Sequence, residues 1–169
     1  MRSLLIATCL ANVLFAFGSL PWMPNPAAVH FGLDGTANRW EPPIVSAISM
    51  SIFAGMMAAV FIGVSVGVSM SANHMPQLMN LPNRDYWLNE ENRPATIRRI
   101  RFPLEMIGIG TMFFILFLQW EIFQANQTIP PVLRDSSLYA VGILFAYILF
   151  EQVRLWRSFR LPKNNRHVP

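Results

Sequence analysis

The chain has 169 residues, 53% of them hydrophobic and only 13% charged, with a net charge of +4. Soluble domains carry about 25% charged residues, which excludes a water-exposed globular body for most of this chain. The positive balance does not mark a nucleic-acid binder either, because the thirteen Lys and Arg residues are spread over loops and ends rather than gathered on one face.

Four apolar runs cover residues 3–22, 44–70, 102–123 and 137–156. A helix needs about 20 apolar residues to cross the ~30 Å hydrocarbon layer, and each run is long enough. The expected fold class is an all-α membrane protein: a bundle of four transmembrane helices, treated as one membrane domain over residues 1–169, with a small structured hairpin in its first outer loop.

The first run carries Asn12 near its middle. An amide in hydrocarbon needs a partner on a neighbouring helix, so an interhelical hydrogen bond is expected, with a ligand contact as the alternative. Ala16 and Gly18 would suit a cleaved leader peptide, but the apolar run continues to Trp22, which favours a retained span. Cys9 is the single cysteine and has no internal disulfide partner.

The following loop is rich in turn chemistry. Pro24 and Pro26 favour an extended approach, and Asp34-Gly35 is a strong turn signal. Val29-His-Phe31 and the stretch from Thr36 to Trp40 read as two strands around Gly32-Leu-Asp-Gly35. His30, Phe31 and Trp40 form either the hairpin's own small core or a ligand pocket. The candidate binding residues are His30, Phe31, Asp34, Gly35, Arg39 and Trp40, because preorganised loops carry contacts.

In the second run Ala47, Ser51, Gly55, Ala59, Gly63, Gly67 and Ser71 recur at every fourth position. That spacing makes a ridge inclined to the helix axis, and small residues on it admit another backbone closely. Gly55, Ala59, Gly63 and Gly67 are therefore expected to pack against a helix of the same chain, or against a second copy in a homodimer. The polar segment that follows contains Asn80-Leu-Pro-Asn-Arg-Asp-Tyr-Trp-Leu88. Tyr86, Trp87 and Leu88 are expected in the plane of the membrane interface. A short helix is expected to begin near Asn89 or Asn92, with Pro103 marking the start of the third run.

Glu105 and Glu121, near the two ends of the third run, are sixteen residues or about 24 Å apart and cannot act as a carboxylate pair. Glu151 in the fourth run is expected to pair with Arg154 at i+3.

Eleven cations (Arg2, Arg84, Arg93, Arg98, Arg99, Arg101, Arg154, Arg157, Arg160, Lys163 and Arg166) fall on one side of this arrangement and two, Arg39 and Arg134, on the other. The asymmetry predicts cytoplasmic N- and C-termini and a cytoplasmic middle loop, with the basic tail anchored at an anionic leaflet. The aromatic residues agree: Trp22, Trp40, Trp120 and Tyr139 fall at the predicted outer ends, and Tyr86, Trp87 and Trp156 at the inner ones.

The pattern formed by Pro24 or Pro26 with His30, Phe31, Gly35 and Trp40 resembles the domain of unknown function that opens SdpI-type immunity proteins. The segment from Asn80 to Leu88 is similar to a second block in many members of that family. The resemblance implies a multi-pass protein of the bacterial cytoplasmic membrane. It also implies protection of the cell from a secreted toxic peptide, and relay of the toxin's presence to a membrane partner. The SdpI type has further spans beyond the four seen here, so fold and topology carry over more directly than immunity.

No catalytic constellation is evident: the histidines fall on opposite sides of the bilayer, and neither a Gly-x-Ser-x-Gly elbow nor a phosphate-cradling Gly loop occurs. A metal site would need His30 with Asp34, Glu41 or Glu121, without supporting ligand spacing. The expectation is a non-enzymatic protein without cofactor or metal. Its partners are the lipid bilayer and a secreted peptide, a membrane protein or a second copy. A small transporter or accessory subunit using Asn12, Glu121 and Tyr147 is the alternative.

Overall fold

The structure is a computed structural model and describes residues 1–160. Lys163, Arg166 and His167 lie outside the described residues. In chain order the elements are helix α1 (Arg2–Gly18), strands β1 (Ala27–Phe31) and β2 (Ala37–Glu41), and helices α2 (Pro43–His74), α3 (Arg84–Trp87), α4 (Arg93–Ala125) and α5 (Ser136–Ser158). Single 3-10 turns at Leu20–Trp22 and Pro76–Leu78 extend α1 and α2. Four helices, α1, α2, α4 and α5, are long and apolar enough to cross a membrane.

α4 is the hub of the bundle. It packs against α1, α2 and α5, while α1 and α2 also pack against each other. The buried positions follow from this. On α1 they are Leu5, Thr8, Asn12 and Ala16, one stripe at three- and four-residue spacing. On α2 they are Ala47, Ala54, Ala58, Ser65 and Ala72, mostly seven apart, as expected for a seam between nearly parallel helix axes. Leu5, Ala58, Ile109, Met112 and Ile115 form the central apolar core where the three helices meet.

Asn12 is fully buried within that core. Its Nδ2 donates to the carbonyl oxygens of Met112 (3.0 Å) and Thr8 (2.8 Å), and its Oδ1 accepts from Gln119 Nε2 at 2.8 Å. The interhelical bond expected for this amide therefore joins α1 to α4 and leaves none of its main hydrogen-bonding groups idle.

The glycine ridge of α2 is a correction. A Cβ placed on Gly55, Gly63 or Gly67 meets nothing within 4 Å, and Gly55, Ala59 and Gly63 are exposed. These four positions do not pack inside the chain. The seam shares Ala47 with the ridge and then runs along Ala54, Ala58, Ser65 and Ala72 instead, and α4 supplies the small residues at the close contacts. A Cβ on Gly108 would stand 2.8 Å from Phe61 Cγ, and one on Gly110 would stand 2.8 Å from Tyr147 Cε1. Small residues on α4 thus accommodate large rings from α2 and α5.

Two further expectations are corrected at the arginine-rich end. The short helix expected near Asn89 or Asn92 and the third span are one helix of 33 residues, about 50 Å long. It passes without a break through the buried Pro103, flanked by buried Ile100 and Ile107, since neighbouring helices can hold a proline inside a span. Trp87 and Leu88 are buried in protein rather than lying in the interface plane. The Trp87 ring packs edge-on against Phe159, with centroids 5.6 Å apart. Its Nε1 donates to the Phe159 carbonyl (3.0 Å), which also accepts from Asn83 Nδ2 (3.2 Å). Thr96 Oγ1 in turn donates to the Trp87 carbonyl at 2.7 Å. The 80–88 segment is thus a latch that ties the end of α5 to the start of α4.

The buried acids are all partnered. Glu105 Oε1 accepts from Ser65 Oγ (2.8 Å) and Arg101 Nη2 (2.9 Å), with Arg2 Nε at 3.8 Å, so one carboxylate ties together α1, α2 and α4. Glu121 Oε2 accepts from Ser136 Oγ at 2.9 Å, and Glu151 pairs with Arg154 at 2.6 Å, the i+3 partner its spacing indicates.

Candidate binding surface at the hairpin end

The segment between α1 and α2 folds as an antiparallel pair with Ala27 opposite Glu41, Ala28 opposite Trp40, His30 opposite Arg39 and Phe31 opposite Ala37. β1 starts two residues earlier than the turn chemistry indicates, and the register shifts around His30. Thr36 lies outside β2 and bridges Val132 of the α4–α5 connection.

The turn is built by local polar bonds. Asp34 Oδ1 accepts from Thr36 Oγ1 (2.8 Å) and from the Thr36 N–H (3.1 Å). These bonds, the hydroxyl's first, hold the Asp34 carboxyl below its usual value of 3.8 although it is exposed. The Gly32 N–H donates to the Thr36 carbonyl at 2.8 Å. Gly35 has φ +76°, and a Cβ there would lie 2.6 Å from the Leu133 carbonyl oxygen. Glycine is required twice over at this position, by backbone conformation and by the close approach of another chain segment.

Two docking contacts fix the hairpin to the bundle, and both use its backbone. Asn126, at the end of α4, reads Ala28 as a neighbouring strand would. Its Oδ1 accepts from the Ala28 N–H and its Nδ2 donates to the Ala28 carbonyl, each at 2.8 Å. At the tip, the Leu133 N–H donates to the Gly35 carbonyl at 2.9 Å. Only the small side chains of Ala27 and Ala28 are buried under the hairpin. Gln127 Nε2 adds a bond to the Trp22 carbonyl at 3.1 Å.

The candidate side chains are thus left outward. His30, Asp34, Arg39 and Trp40 are exposed, Trp40 to 48%, while Phe31 and Gly35 are half-buried. With His30 and Trp40 exposed and Phe31 only half-buried, the three are not a buried core of the hairpin's own. His30 Nδ1 instead lies 2.6 Å from Asn38 Oδ1, a cross-strand polar contact on the exposed side of the hairpin. Arg39 comes within 4.0 Å of Glu41, a loose contact between an exposed cation and a half-buried carboxylate. The result is a polar row, His30–Asn38–Arg39, beside an exposed indole on a fixed backbone. Asn38, Asn126 and Leu133 were not singled out in the sequence. The Asn126 clamp spans 98 residues and has no local signature.

Among the described residues no three His, Cys, Asp or Glu side chains gather as a metal-ligating group. The residues of the transporter alternative separate across α4. Asn12 bonds to the face carrying Met112 and Gln119, whereas Tyr147 and the Ser136 partner of Glu121 belong to α5. An apolar groove of about 660 Å³, lined by Phe113, Phe114, Phe117, Ile143 and Tyr147, runs between α4 and α5. No protein-family profile, curated protein or solved structure matches the chain.

Proposed function

We propose that this chain is a non-enzymatic protein of the bacterial cytoplasmic membrane, of the SdpI-like immunity and signalling kind. Its hairpin acts as the recognition element for a peptide or partner protein at the outer face. One observation carries this: the hairpin is held by its backbone, through Asn126 and Leu133, while His30, Arg39 and Trp40 are left exposed. Side chains not spent on holding a loop are available for contacts, and a rigid loop lowers the ordering cost of binding. An exposed indole and a polar row suit an amphipathic peptide arriving along the headgroup layer.

The cation asymmetry supports an outward hairpin. Cysteine labelling in cells is expected to reach position 34 from outside and position 98 only after permeabilisation. The functional test is protection of a sensitive host from a secreted amphipathic peptide. His30→Ala and Trp40→Ala are expected to abolish protection at unchanged membrane abundance and thermal stability. Full protection by both variants would remove the hairpin as the site.

A second role, as a subunit of a homodimer or larger membrane complex, is supported by the uncovered α2 ridge at Gly55, Ala59 and Gly63. Cysteine crosslinking from position 63 in native membranes tests it.

A further inference from the structure

The arginine-rich ends of α4 and α5 flank an open pocket of about 420 Å³ lined by Arg98, Arg99 and Arg154 together with Phe102, Pro103 and Leu155. We propose that this pocket binds a phosphate-bearing anion, with the headgroup of an anionic phospholipid as its source. The inference is independent of the hairpin's role.

The charges argue for an anion. Three guanidiniums line the pocket, and among the described residues one carboxylate pairs with them, Glu151 on Arg154 at 2.6 Å. Arg99 gives one N–H to the Ser158 carbonyl (2.7 Å) and stands with Cζ 4.4 Å over the Trp87 ring. Each guanidinium has five N–H donors, so Arg99 and Arg154 keep several unspent. Arg98 makes no hydrogen bond or ion pair among the described residues. Guanidinium forks match phosphate oxygens in geometry and charge.

The apolar wall argues for a lipid. On α4, Phe102 and Pro103 begin where the arginines end, Leu155 adds an apolar wall from α5, and Arg154 Cζ lies 5.4 Å from the Phe102 ring centroid. The apolar run of α4 starts at Phe102, and the exposed Trp156 follows on α5, as a ring at headgroup depth would. A phosphate at the arginines would therefore extend its acyl chains along Phe102 into hydrocarbon. Basic pockets between spans hold anionic headgroups in this way. The latch at Trp87 fixes the two helix ends at the distance the pocket requires, through the Phe159 and Ser158 carbonyls.

The full-length protein in neutral detergent should be titrated with phosphatidylglycerol, phosphatidylcholine and glycerol phosphate. Binding is read by native mass spectrometry and by the thermal midpoint. Phosphatidylglycerol should bind saturably and raise the midpoint, and phosphatidylcholine should do so far less. Arg98→Gln with Arg154→Gln should weaken binding by about tenfold or more, at about 1 kcal/mol for each cation near an anionic headgroup. Arg157→Gln with Arg160→Gln removes the same charge from exposed positions and should change it less than about twofold. An equal response to glycerol phosphate would support the phosphate site and assign it to a soluble anion. Equal loss from both double variants would overturn the pocket in favour of diffuse attraction, and equal binding of phosphatidylcholine would overturn its preference for an anion. Should the first double variant fail to fold, Arg98→Gln alone, which breaks no described contact, carries the same test.

Discussion

Asn126 and Ala28 exchange two hydrogen bonds of 2.8 Å, side-chain amide against backbone amide. The pairing imitates one rung of a β-ladder, with the end of α4 standing in for a third strand. It needs the amide in one orientation, because only carboxamide oxygen toward the N–H and nitrogen toward the carbonyl satisfies both groups. Both backbone groups are buried, so losing the partner carries a desolvation cost on top of the lost bonds.

Asn126→Ala is therefore expected to release the hairpin from the bundle at a cost of about 1–3 kcal/mol. Asn126→Asp should do nearly the same, since it keeps the acceptor and loses the donor. Hydrogen exchange should accelerate at Ala28 and its strand neighbours while the amides of α2 keep their protection. Unchanged exchange in both variants would show that the clamp does not hold the hairpin.

Close packing is predicted to respond at Gly108 and not at Gly63. A methyl on Gly108 would stand 2.8 Å from Phe61 Cγ and 3.1 Å from Phe61 Cβ, near the root of the side chain, where the ring has little room to swing away. Gly108→Ala should cost about 1–3 kcal/mol by overpacking, measured as detergent unfolding. The same change at Gly63 meets open space and should be neutral or mildly stabilising through helix propensity. A double-mutant cycle with Phe61→Leu should recover part of the Gly108→Ala loss, because contacting residues couple by about 0.5–3 kcal/mol.

At the other end of the bundle, Trp87→Phe separates the indole's hydrogen bond from its packing. The phenyl ring still meets Phe159, but the donor to the Phe159 carbonyl is gone, at an expected cost of about 0.5–1.5 kcal/mol. Trp87→Ala should cost about 3–5 kcal/mol and loosen the end of α5 specifically, seen as faster amide exchange in its last turn. A Trp87→Ala variant as stable as the wild type would place the ring in lipid after all.

The range over which each contact acts explains what is legible in the sequence. The four long apolar helices were legible because apolar length is a property of each segment by itself. The Glu151–Arg154 pair and the Asp34-Gly35 turn were legible because their partners lie within a few residues. The α2 ridge misled because small residues show where a backbone can approach, not whether one does. The partner helix α4 carries its own small residues, Gly108 and Gly110, and offers them to large rings. Trp87 looked interfacial because its burial depends on Phe159, 72 residues away. The hairpin's position was legible, but its attachment was not. The Asn126 and Leu133 contacts join loops that are neighbours only once α1, α2 and α4 have assembled.

The turn at the hairpin tip should respond to acid. Asp34 is held below its usual 3.8 by the Thr36 hydroxyl and then the Thr36 N–H, both of which bond the charged carboxylate. A carboxyl depressed in the folded state stabilises that state above its unfolded value, and the benefit is lost as pH falls through the folded value. The turn is therefore at full strength at neutral pH and weakens only below about 3.8. The Thr36 amide should show this as exchange that accelerates, beyond the intrinsic pH dependence, as the sample is acidified through that range. Asp34→Asn retains a side-chain oxygen acceptor without titrating, so it should flatten the pH response and keep the turn. Asp34→Ala should loosen Thr36 at every pH. A wild-type Thr36 amide with no excess exchange in acid would show that Gly35 and its Leu133 contact alone hold the tip.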